Sequence, residues 1–123
     1  MPKILLIDDD DIVRELLVSL LRDHGHETFE LPSPIGASRL IVREEIQIVV
    51  LDVMMPSMNG DKLAKMLRSN RRFDALGIVL MSGCGHEKLS ALAKAVKADA
   101  IVSKDALRTA LLPAINRLIR ETV

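Results

Sequence analysis

The sequence predicts an α/β domain built on a parallel five-stranded sheet with helices over both faces. Three observations predict it. Apolar runs of strand length alternate with segments whose apolar residues recur at helical spacing, through a chain of 123 residues. The strongest runs, Ile4-Leu5-Leu6-Ile7, Ile48-Val49-Val50-Leu51 and Ile78-Val79-Leu80-Met81, are almost continuously apolar, as strands covered on both faces are. Side chains capable of chemistry (Asp8, Asp9, Asp52, Ser82 and Lys104) stand at or just past the ends of such runs. Open parallel sheets bind their ligands at that edge.

Taken in order, Lys3 to Ile7 is the first strand. Asp11 is read as the N-cap of the first helix, whose apolar stripe is Val13, Leu16, Leu17, Leu20 and Leu21. Gly25 suits the left-handed position past that helix's end. His26 to Leu31 is a weaker second strand, alternating poorly and followed by Pro32. Ser33-Pro34 reads as an N-cap with proline in the first turn of a second helix that ends near Glu44. Gln47 to Leu51 is the third strand, and a turn-rich loop spans Met54 to Gly60. Asn59 caps a third helix that uses Leu63, Met66 and Leu67. It carries Asp61 near its start and Arg68, Arg71 and Arg72 near its end, as the helix dipole favours. Gly77 to Met81 is the fourth strand and ends at Ser82. A fourth helix presents Leu89, Leu92, Ala93 and Val96. Ala100 to Val102 is a short fifth strand followed by Ser103-Lys104, and a last helix covers much of Asp105 to Arg120. Pro113 either kinks that helix or marks its true start, because an interior proline costs about 3 kcal/mol.

Composition narrows the function classes. Lys+Arg and Asp+Glu are equal at 17 each, so no overall charge draws the chain to nucleic acid or an anionic membrane. Aromatic residues are 2% with no Trp or Tyr, which removes the stacking platforms of single-strand binders. One cysteine excludes an internal disulfide and a multi-cysteine zinc site. The start, Met1-Pro2-Lys3, lacks signal-peptide character, and no apolar run approaches membrane-spanning length. The expectation is a single cytoplasmic domain over residues 1–123, with no membrane and no direct nucleic-acid contact.

The acidic residues carry the chemistry. Asp8 to Asp11 directly follow one apolar run and Asp52 closes another. If those strands are neighbours, three or more carboxylates crowd one pocket, at a cost of several kcal/mol unless a cation sits among them. Oxygen-only ligands favour Mg²⁺ before Ca²⁺. Each residue also has a plainer reading. Asp10 and Asp11 can serve only as helix caps and solvated charge. Asp52 can be a buried carboxylate satisfied by backbone N–H groups, and Ser82 can make a local turn hydrogen bond. The chemical alternative makes Asp52 a nucleophile toward phosphorus, with Lys104 as a fixed counter-ion and Ser82 as a hydroxyl donor for phosphoryl oxygens. Gly83-Cys84-Gly85 is too short to cradle a phosphate, and His24, His26 and His86 lack metal-ligand spacing.

The chain resembles the receiver domains of two-component response regulators over essentially its full length. The matching motifs are Ile4 to Asp10, Val50 to Gly60, Ser82-Gly83 and Lys104, in that order and spacing. The resemblance implies a flavodoxin-like doubly wound fold, strand order 2-1-3-4-5, with five helices. It implies that Asp52 accepts a phosphoryl group from a histidine kinase or phosphotransfer protein. Mg²⁺ would be held by Asp9, Asp52 and the backbone carbonyl of Met54, with Asp8 assisting through water. Lys104 and Ser82 would hold the phosphoryl oxygens. The fourth helix, fifth strand and fifth helix would form the face for a downstream partner or a homodimer, and the first helix, with Ile12 outward, the kinase-docking side.

Three residues depart from the family's habits. Ile101 stands three positions before the lysine, where receivers commonly have an aromatic ring. Asp105 follows the lysine in place of a common proline. Met54 and Cys84, two past the phosphoacceptor and two past the hydroxyl, are apolar or weakly polar, which implies a long-lived phosphoryl group. Two other readings compete. A haloacid-dehalogenase-type phosphatase is formally allowed by Asp8-Asp9-Asp10 but needs an acidic pair after its lysine, where only Asp105 follows. A pseudo-receiver that binds partners without phosphorylation is left open by Ile101.

Overall fold

The computed structural model describes residues 2–53, 60–83 and 86–121. Five strands, β1 (Lys3–Ile7), β2 (Glu27–Leu31), β3 (Ile48–Asp52), β4 (Gly77–Ser82) and β5 (Ala100–Ser103), pair in parallel in the order β2-β1-β3-β4-β5. The helices α1 (Asp11–Arg22), α2 (Ala37–Glu44), α3 (Gly60–Arg68), α4 (His86–Val96) and α5 (Leu107–Glu121) connect and follow them. Short 3₁₀ turns lie at Arg71–Phe73 and Lys104–Ala106.

Strand side chains alternate between the two faces, and the core divides accordingly. Leu5, Ile7, Val49, Leu51, Ile78 and Leu80 pack with Ile41, Leu63, Leu67 and Val96, so α2, α3 and α4 cover one face. Ile4, Leu6, Val50, Val79, Met81 and Val102 pack with Leu17, Leu21, Leu111, Ile115 and Leu118, so α1 and α5 cover the other. This two-sided burial explains the continuous apolar runs. Truncating a fully buried residue such as Leu51 to alanine is expected to cost about 2–5 kcal/mol.

Several local expectations need correction. Asp10, not Asp11, caps α1: it is extended, with φ −89° and ψ 112°, and its Oδ1 accepts from Ile12 N at 2.9 Å and Val13 N at 3.3 Å. A cap oxygen must reach N–H groups two and three residues on, and Asp11 is already helical. Ser33 and Pro34 do not open α2. Ser33 Oγ accepts from Ile35 N at 3.3 Å in a local turn, and the helix starts after Gly36, whose φ of 83° suits a residue without Cβ. β2 begins at Glu27, one residue later than expected, because the N–H of His26 still donates to Leu21 O at the end of α1. α5 runs through Pro113, which therefore does not mark its start. Gly25, with φ 83°, does take the left-handed position after α1. Asn59 lies outside the described residues.

Arg68, expected only to favour the α3 dipole, ties α3 to the connections that precede β4 and β5. Its guanidinium donates to Lys97 O at 3.0 Å, Phe73 O at 3.2 Å and Leu76 O at 2.8 Å, and pairs with Asp99 Oδ2 at 2.6 Å. The same Asp99 oxygen accepts from Ile78 N at 2.8 Å, which ties the start of β4 to the turn before β5.

Candidate functional site

β1 and β3 are neighbours with Ile7 opposite Leu51, so the next residue of each chain segment, Asp8 and Asp52, emerges side by side at the C-terminal edge. Both carboxylates are buried, at 0% and 1% exposure, whereas Asp9 is exposed. Oxygens of Asp8, Asp9 and Asp52 all lie within 4.8 Å of one another. β4 separates β3 from β5 and ends at Ser82, fully buried and opposite Ser103. Lys104 follows β5 and reaches back across that edge. Its Nζ lies 2.8 Å from Asp8 Oδ2 and 2.9 Å from Asp52 Oδ2. The expected residues Asp8, Asp9, Asp52, Ser82 and Lys104 are thus brought to the same edge of the sheet. Met54 lies outside the described residues, as does Cys84.

Burial pulls the Lys104 ammonium toward its neutral form, but hydrogen bonds and charge from Asp8 and Asp52 outweigh this and hold its pKa above the ordinary lysine value. Lys104 remains charged at neutral pH and offsets one of three carboxylates. Two negative charges remain at a cluster of oxygen donors, the complement of a hard divalent cation. Asp8, Asp9 and Asp52 therefore fit a metal of that kind, and receiver domains bind Mg²⁺ at such an acidic pocket.

The four consecutive acids have separate tasks. Asp8 faces Lys104, and its Oδ1 accepts from Asp10 N at 2.9 Å. Asp9 is the exposed member of the carboxylate cluster, and Asp10 is the helix cap. Asp11 pairs with Arg14. Sequence reasoning missed Arg14. Its guanidinium donates to Asp8 O at 2.6 Å and faces Glu30 of β2 at 3.4 Å, fixing the backbone from which the Asp8 carboxylate projects. The available signal was its position three residues after Asp11 and four after Asp10 on one helix face.

Asp105 is exposed and absent from the carboxylate cluster, so the second acidic site of a dehalogenase-type phosphatase is not assembled among the described residues. Ile12 is 77% exposed at the start of α1, and Ile101 is half-buried in β5. A cleft of about 830 Å³ lies at the opposite end of the strands, beside Gln47, Gly77 and Asp99, and contains none of the expected residues.

Comparison with known proteins agrees with this geometry. A family model described as the response regulator receiver domain matches residues 4–116. The transcriptional regulatory protein GltR of Pseudomonas aeruginosa is 29% identical over 117 residues, covering 95% of this chain and 48% of that protein. The response regulator protein FleR of the same organism is 36% identical over 83 residues, covering 68% of this chain and 17% of that protein. The chain spans about half the length of the first relative and less of the second. Among solved structures, a putative response regulator from Chloroflexus aurantiacus superposes with a TM-score of 0.90 at 24% identity, covering 98% of this chain and 99% of that one. The receiver domain of the Francisella response regulator 1452 gives 0.88 at 24% identity over the whole of both chains. These two share the fold, and the family match extends through every strand of the sheet: the chain belongs to the response regulator receiver domains.

Proposed function

We propose that this chain is a phosphorylation-dependent signalling switch in which Asp52 takes a phosphoryl group from a phosphohistidine of a histidine kinase or phosphotransfer protein. One observation carries the reading: two buried carboxylates, Asp8 and Asp52, share the Lys104 ammonium at 2.8 and 2.9 Å where three strands end. A helix-capping or purely structural Asp52 has no need of a second buried acid beside it.

An Asp52 carboxylate oxygen attacks phosphorus, the P–N bond breaks, and its electron pair returns to the imidazole, which takes up a proton. The product is an acyl phosphate. Lys104 already lies against the nucleophile, so a small displacement from Asp8 brings its ammonium to a phosphoryl oxygen. Ser82, one strand away, supplies a hydroxyl donor to another. Asp9, Asp52 and the Met54 carbonyl would hold Mg²⁺ directly and Asp8 through water; the bound ion would neutralise phosphoryl charge.

The exposed Ile12 beside the acidic edge suits kinase docking on α1. Output would pass through altered contacts of the α4–β5–α5 face, to a downstream protein or a second copy, without direct nucleic-acid contact. No described helix is long and apolar enough to cross a membrane, in keeping with a proposed cytoplasmic setting. Phosphorylation modifies the domain once, so it is not a turnover enzyme.

Incubation with acetyl phosphate and Mg²⁺, followed by intact mass spectrometry, tests the proposal. Wild type is expected to gain one phosphoryl mass and Asp52→Asn none. A wild type that gains nothing would move the assignment to a binding-only pseudo-receiver. Continued release of phosphate from a generic ester would move it to a phosphatase.

A further inference from the structure

The face of the sheet covered by α2 and α3 carries a second surface feature, remote in character from the acidic edge. A depression of about 630 Å³ lies between α2 and the α3–3₁₀ segment. Val42, Met66 and Phe73 supply its apolar lining, and Arg39, Arg43 and Arg72 its charge. Val42 and Met66, 38% and 53% exposed, are two of the four large apolar side chains left most open to solvent among the described residues. Arg43 pairs with Glu44 at 3.3 Å, whereas Arg39 and Arg72 have no carboxylate partner among the described residues. An otherwise charge-neutral chain thus concentrates uncompensated guanidinium groups around exposed aliphatic surface.

We infer that this groove docks an acidic amphipathic helix of a partner protein, its aliphatic side chains on Val42 and Met66 and its carboxylates on Arg39 and Arg72. Charge complementarity selects the sign of the partner, and guanidinium forks match carboxylates in bidentate fashion. The apolar lining selects a protein segment over a polyanion. Nucleic acid would meet phosphate-binding arginines but no exposed aromatic to stack on, since Phe73 is buried. Two flanking helical elements form a trough rather than an open strand edge, which suits a helix laid in a groove more than an added strand. The groove shares no residue with the Asp52 cluster, so docking here does not require the Asp52 carboxylate.

The test uses the full chain with ¹³C-labelled methyl groups and a synthetic helical peptide bearing two leucines four residues apart, flanked by glutamates. Comparison probes are the same peptide with serines for the leucines, the same peptide with lysines for the glutamates, an oligothymidylate, and phosphatidylserine vesicles. The Val42 and Met66 methyl signals are expected to shift with the first peptide, at an affinity at least about ten-fold above every comparison probe. Arg39→Glu with Arg72→Glu is expected to weaken binding by about ten-fold or more, and Met66→Ser by a similar factor; Asp52→Asn is expected to leave it unchanged. Should the double charge reversal fail to fold, Met66→Ser alone decides. Equal binding of the serine peptide, tighter binding of oligonucleotide or vesicles, or shifts confined to other surfaces would each overturn the inference. Loss of binding in Asp52→Asn would overturn its independence from the acidic edge.

Discussion

Removing the Lys104 ammonium tests the electrostatics of the site most directly. At an effective dielectric of about 20, its attraction to each carboxylate at 2.8 and 2.9 Å is roughly 6 kcal/mol gross, much of it cancelled by desolvation. Without the lysine, Asp8 and Asp52 are left buried with oxygens within 4.8 Å, a repulsion of about 3 kcal/mol or more on the same scale. Breaking a buried pair typically costs about 3–5 kcal/mol, and the 23% exposure of the Lys104 side chain argues for the lower end. Lys104→Met keeps most of the stem and should therefore lose about 3 kcal/mol in EDTA at neutral pH. Urea unfolding would show a lower midpoint at unchanged slope. Saturating Mg²⁺ should recover more stability in the variant than in wild type, because the ion finds a more negative pocket. The pH dependence has a definite sign. The Lys104 pKa is raised above its unfolded value of 10.5, so its contribution is complete below that pH and is lost as pH climbs through the folded-state value. The variant should lack this alkaline loss. A Lys104→Met protein as stable as wild type in EDTA, and no more responsive to Mg²⁺, would refute the reasoning.

Asp9→Asn should raise stability modestly in EDTA and weaken Mg²⁺ binding, read by titration calorimetry, by more than the roughly 10–100-fold typical of lost outer-shell partners. His26 is 8% exposed, its Nδ1 is buried with no hydrogen-bond partner among the described residues, and burial, then the neighbouring His24, lowers its pKa. The unfolded chain therefore binds the extra proton first, and stability should fall as pH drops below 6.5; His26→Leu should flatten that slope in urea melts at several pH values. Arg68→Ala removes a charged donor from three carbonyls and from Asp99, which keeps only its bond from Ile78 N, and should cost about 2–4 kcal/mol by chemical denaturation, with phosphorylation of the folded protein retained. Apolar Met54 and weakly polar Cys84 should make the acyl phosphate persist for minutes or longer in a mass-spectrometric time course; decay in seconds would contradict this.

The legible parts of the molecule were those written in local pattern. Continuous apolar runs announce strands buried on both faces, and the residue that ends a strand, or the one just after it, lies at the sheet edge whatever the rest of the chain does. That is why the sequence pattern alone points to Asp8, Asp52, Ser82 and Lys104. Strand order was not legible in this way, because a run such as Ile48 to Leu51 does not encode its neighbours; the order followed from the family resemblance. The start of α2 was misread because Ser33-Pro34 satisfies every local signal of a helix start, while the left-handed turn at Gly36 that sets the true start depends on how the chain leaves β2. Arg14 and Arg68 escaped for a related reason. Both bind backbone carbonyls, which carry no residue-specific mark, and Arg68 finds Lys97 O and Asp99 29 and 31 residues away.

The charge balance of the acidic edge suggests how a chemical event there becomes a change of shape. Three carboxylates and one ammonium leave a resting surplus of two negative charges, which a divalent cation would cancel. Converting the Asp52 carboxylate into an acyl phosphate replaces one negative charge by about two. The edge then carries uncompensated charge in a mostly buried setting, where imbalance costs far more than in water. Relief has to come from donors already close by. Lys104 can leave Asp8, and the Ser82 hydroxyl lies at the end of the adjoining strand. Both stand at the ends of β4 and β5, the strands that α4 and α5 follow in the chain. The added charge therefore pulls on the elements that border the proposed output face. Because Ile101 is β-branched and stiff at χ1, that pull must be accommodated by movement of packed aliphatic side chains and backbone, not by the turning of a ring.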